Sequence, residues 1–130
     1  MALSVRWADR VQAGRALVDL VGDAEADTLL RKLLLDFGDT AVIARTADSL
    51  LERGDAPAWR VFAGAWDLAD PSQADHLSGA LSGALFSASM LPSKAAALRD
   101  LIIALTADPD ENVRTGAAQL QPRIAAALPD

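Results

Sequence analysis

Residues 98–120 read LRDLIIALTADPDENVRTGAAQL. Leu98, Leu101, Ile102 and Leu105 recur at i, i+3, i+4 and i+7, which places them on one face of a helix. Asp108 is a residue type that caps a following helix. Pro109 suits a first helical position, where a missing N–H removes no bond. Val113, Ala117, Leu120 and Ile124 form the apolar stripe of a second helix. The segment is therefore predicted to be two amphipathic helices joined by an acidic turn. Neither can bury its stripe without other elements to pack on.

The same pattern recurs upstream. Ala26, Leu29, Leu30 and Leu33 repeat the spacing of residues 98–105, and so do Trp59, Phe62, Ala63 and Trp66. Second stripes follow at Ile43, Ala47 and Leu50, and at Leu77, Leu81 and Ala84, matching Val113, Ala117 and Leu120. An aspartate precedes each second stripe: Asp36, Asp70 and Asp108. The period is 33 to 39 residues. A fixed period of that size is the mark of a helical repeat whose units stack to bury a continuous core.

The boundaries follow from caps and breakers. A first helix is expected from Ser4 to Val21, ended by Gly22, with Trp7, Val11, Val18 and Val21 on one side and Leu17 and Leu20 widening the face. It reads as an N-terminal cap on the stack. Asp23 opens helix 24–35 and Asp39 opens 40–53, which Gly54 closes. Asp55 opens 56–68, whose extra apolar strip of Val61, Ala65 and Leu68 predicts deep burial. Asp70-Pro71 opens a helix from 72 to about 90 that Pro92 ends, Ser93 caps 94–106, and Asp108 opens the last. Pro122 is expected to kink or end that helix.

The Asp-Pro opening followed by Val113-Arg114 resembles the second helix of a HEAT repeat, over about residues 24–128. The corresponding places of the other two units hold Ala44 and Ser78. The resemblance implies an all-α fold: a short right-handed α-solenoid of about seven antiparallel helices, a cap helix plus three helical hairpins, in a single domain over residues 1–130. It also implies a scaffold that holds a protein or peptide on the face lined by the second helices.

Composition agrees with helices. Apolar residues make up 52%, and aromatics only 5%, so Leu, Val, Ile and Ala must fill the core. Without cysteine, disulfides and thiolate zinc sites are excluded. The N-terminus has scattered charges and no apolar run of a signal peptide. The longest uncharged run, residues 77–93, falls short of the ~20 apolar residues a membrane span needs. A cytoplasmic protein is the expectation, with no membrane partner. The excess of Arg over Lys, with the alanine load, suggests a GC-rich bacterial genome. Net charge is −6 and no Lys/Arg stripe is present, which argues against nucleic acid and for a basic protein or a neutral peptide.

No residue set carries catalysis, a cofactor or a metal. His76, the sole histidine, has Asp75 beside it, but i, i+1 neighbours on a helix do not face each other. Asp108, Asp110 and Glu111 lack the spacing of a calcium loop and suit a helix N-terminus. Trp59 and Trp66 share a stripe with Phe62 and read as core. Gly79 and Gly83, with Ser78 and Ser82 beside them, lie off the buried stripe of their helix. Each interior Gly costs a helix ~1 kcal/mol against Ala, so keeping two calls for a reason: close packing of a neighbouring helix, or a bare backbone groove where a partner lies close.

Projecting the second-helix stripes outward gives the candidate binding face. It comprises Arg45, Asp48 and Glu52, then Gly79, Ser82, Gly83 and Phe86, then Thr115 and Gln119. The first expectation is a non-catalytic protein-protein interaction module. The alternative is a small acidic inhibitor or immunity protein that neutralises a basic toxin enzyme. A HEAT-like DNA glycosylase domain would need a basic groove, which the charge opposes.

Overall fold

Asp23, Asp39, Asp55 and Asp70 each hold the first turn of a helix in the computed structural model, which describes residues 15–36 and 38–128. The helices are α1 (Ala24–Leu34), α2 (Thr40–Arg53), α3 (Ala56–Leu68), α4 (Pro71–Ser89), α5 (Pro92–Leu105) and α6 (Glu111–Ala127). A helical turn over residues 15–18 precedes them. Among the described residues there is no strand, and the fold is all-α. The expected helix over 4–21 lies largely outside the described residues.

The caps work as their chemistry requires. The Asp39 carboxylate accepts from the Ala41 and Val42 N–H groups at 3.1 and 3.3 Å. Asp70 accepts from the Gln73 N–H at 2.7 Å, and the Gln73 side-chain oxygen accepts from the Asp70 N–H at 2.8 Å, a reciprocal capping box. Gln73 is buried because its amide also donates to the Leu35 carbonyl, tying α4 to the end of α1. Gly54 closes α2 at φ 69°, a left-handed conformation that glycine adopts without strain.

Several boundaries and stripes differ from the sequence expectation. The cap of α6 is Asp110, not Asp108, and the carboxylate of Asp108 instead receives two hydrogen bonds from Arg60 of α3. The cap of α5 is Leu91, with no side-chain bond, because Pro92 takes the first helical position and displaces Ser93 inward. In α1 the buried stripe is Ala26, Leu30 and Leu34, leaving Leu29 exposed. Leu68 and Leu20 are likewise exposed, at helix or turn ends beyond the packed seam. Pro122 sits inside α6, which continues through it to Ala127.

The core runs through all the helices, with Phe62, Leu30, Ile43, Leu77, Ile102 and Leu120 fully enclosed. The most extensive seam joins α3 to α6, followed by α2 against α4. The consecutive pairs α1–α2 and α5–α6 pack on each other, whereas α3 and α4 share little. Helix α3 is buried on most sides, as its second apolar strip predicts: Ala58, Trp59 and Val61 through Ala65 are inaccessible.

The aromatic stripe of α3 divides in two. Trp59 and Phe62 are buried, their rings edge to face at 5.5 Å. Trp66 is only half-buried, which corrects its placement in the core. Its ring lies 5.9 Å from Phe62, and the Arg123 guanidinium of α6 covers it at 5.1 Å.

Candidate functional site

Helix α2 buries Ile43, Ala47, Leu50 and Leu51 on one side. The helical period then forces Arg45, Asp48 and Glu52 onto the other, and all three are exposed. Asp48 and Glu52 border a groove of ≈ 570 Å³ whose walls come from α2, α4 and α5, with Trp59 of α3 also lining it. Helices α2 and α5 both pack on α4 and not appreciably on each other, so α4 lies between them with one on each flank. The apolar lining comes from Leu51, Trp59, Ala80, Ala84, Leu98 and Leu101. Asp48 and Glu52 line it from the α2 side and Lys94 from the α5 side.

A second cleft, ≈ 630 Å³, continues past Asp48 and Glu52 to Arg45, Ser49, Asp19 and Arg15. Arg53, which borders both, is already engaged. Its Nε donates to Asp55 at 2.8 Å and its Nη1 to the Val18 carbonyl at 3.2 Å. That leaves Asp48 and Glu52 with no salt bridge among the described residues. Partial loss of water raises the Asp48 carboxyl above its ordinary value, and the nearby Glu52 charge raises it further, against a smaller pull from Arg45.

On α4, Gly83 lines the groove, and nothing lies within 4 Å of where a Cβ on it or on Gly79 would stand. At about 100° per residue, Gly79 and Met90 fall within roughly 40° of Gly83, and Phe86 about 60° away on the same side. These residues form an exposed shoulder beside the groove. Phe86 is 69% and Met90 67% exposed, unusual for large apolar side chains that share one helix face. Ser82 is exposed on the same shoulder.

Of the sequence-derived set, the structure brings Asp48, Glu52 and Gly83 together around the groove, puts Arg45 in the neighbouring cleft, and leaves Gly79, Ser82 and Phe86 on the exposed side of α4. Gln119 is separate: on α6, it donates to Asp67 of α3 at 3.4 Å. The sequence reading missed Trp59, Lys94, Leu98 and Leu101, because it looked for the lining only on second helices. The alternation of stripes holds no signal for which helices flank α4. Among the described residues no three His, Asp or Glu side chains are grouped to hold a metal ion, and no helix is long and apolar enough to cross a membrane.

No protein-family model, curated protein or solved structure matches the chain.

Proposed function

We propose that this chain is a non-catalytic protein-protein interaction module that holds a segment of another protein in the groove between α2, α4 and α5. The groove itself carries the reading. It has the volume of a binding pocket, an apolar lining with a few charged groups at its edges, and a shoulder of exposed Phe86 and Met90. The HEAT-like repeat pattern of the sequence adds to the same reading, although the two helices of its middle unit share little contact and do not form the expected hairpin.

The test is selection from a random-peptide library against the wild-type protein and Gly83→Leu. Gly83 is exposed with open space above it, so the leucine should leave the melting temperature close to wild type while filling the groove. Peptides that bind wild type and not the variant support the module. If every selected peptide binds both proteins equally, the groove is not the site.

A further inference from the structure

We propose that the occupant of this groove is a polarised amphipathic peptide segment. It presents a Lys or Arg to Asp48 and Glu52, and a large apolar side chain to the floor beside Trp59 and Leu98. The inference rests on the groove reading and adds the chemistry of the partner.

Asp48 and Glu52 are one turn apart on α2, so like charges face each other on the helix surface. Glu52 also sits in the last turn, at the negative end of the helix dipole, where an anion is disfavoured. The nearest cation at the helix end, Arg53, is held by Asp55 and by the Val18 carbonyl. Arg45, one turn before Asp48, offsets only part of the burden. Two carboxylates kept at this cost, side by side on the edge of an apolar groove, are complementary to a cation that arrives with an apolar residue.

The far wall sets the direction. Lys94 lines the groove from α5, on the opposite flank of α4, and makes no salt bridge among the described residues. A uniformly basic segment would meet this ammonium. A segment basic on the α2 side and neutral or acidic on the α5 side would not.

The probe is the random-peptide library, read for composition among the peptides that Gly83→Leu rejects. Those peptides should be enriched in Lys or Arg next to Leu, Met, Phe or Trp. The double variant Asp48→Asn/Glu52→Gln should bind them at least about tenfold more weakly, with a melting temperature equal to or above wild type. A merely structural role for the two carboxylates would lower the melt instead. Binding to the wild-type protein should also weaken as salt is added. Groove-dependent peptides without a basic preference, or binding indifferent to salt or to the double variant, would overturn the inference and leave the module standing. A library that yields no groove-dependent peptide removes both.

Discussion

Gly116 of α6 lies directly against the backbone carbonyl of Ala63 on α3, so close that a Cβ at position 116 would overlap the carbonyl oxygen. This bare contact sits in the most extensive helix–helix seam of the molecule. Both residues are buried, as are Val113, Ala117 and Leu120 of the same helix.

Gly116→Ala is therefore expected to destabilise the protein although alanine is the better helix former. Overpacking a seam costs about 1–3 kcal/mol or more, because the backbones must separate. The helix gain of ~1 kcal/mol offsets only part. Chemical denaturation of the single variant measures the balance, and a variant as stable as wild type would mean that α3 and α6 do not approach this closely.

The Arg60–Asp108 pair carries the second prediction. Arg60 donates from Nε and Nη2 at 2.9 and 3.1 Å, and Asp108 Oδ1 also accepts from the Asp110 N–H at 2.9 Å. The Arg60 hydrogen bonds hold the Asp108 carboxyl below its ordinary value, against the opposing effect of burial. A carboxyl depressed in the folded state contributes stability in full above its unfolded value near 3.8, and that contribution is lost as pH falls through the folded value. Asp108→Asn should cost about 1–2 kcal/mol at neutral pH. Melts followed from pH 6 into the acid range should show the two proteins converging only at the acid end; a constant difference throughout would remove the ion pair as the cause.

Phe62 and the Trp66 ring beside it predict an ordering. Phe62 is wholly enclosed, so Phe62→Ala should cost about 3–5 kcal/mol. Trp66 is half-buried beneath Arg123, so Trp66→Ala should cost about half as much. Unfolding of both variants side by side checks it, and equal losses would place Trp66 in the core after all.

Much of the fold was legible in local chemistry. Aspartates 23, 39, 55 and 70 cap because each immediately precedes a helical stripe, which puts its carboxylate within reach of the first-turn N–H groups. Asp108 does not cap because its partner, Arg60, is 48 residues away in sequence and Asp110, two residues on, takes the cap. Leu29 and Leu34 are the same residue type five positions apart, so the stripe of α1 could be drawn through either. Only packing against α2 and α3 decides for Leu34. Half of the candidate site was readable, since solvent-facing positions on α2 and α4 follow from the helical period. The rest was not, because Trp59, Lys94 and Leu98 reach the groove through tertiary packing that no local pattern records.

Gly79 and Gly83 give the last prediction. They are exposed, one turn apart in the middle of α4, with no neighbour within 4 Å of a Cβ built on either. Neither has positive φ, so alanine fits the backbone without strain. Each glycine therefore costs the free protein about 1 kcal/mol of helix stability, much of it through the freedom it gives the unfolded chain. Gly79→Ala and Gly83→Ala should each raise the melting temperature, and the double variant should gain nearly the sum, since the sites share no partner. The same methyl groups narrow the approach to the groove from its exposed shoulder. The stabilised double variant should accordingly bind groove-dependent peptides less tightly than wild type, with Gly83→Ala responsible for more of the loss because only Gly83 lines the groove. Calorimetry and a titration on the same samples separate the two effects. A double variant that is more stable and binds equally well would show that the glycines serve neither the fold nor this groove.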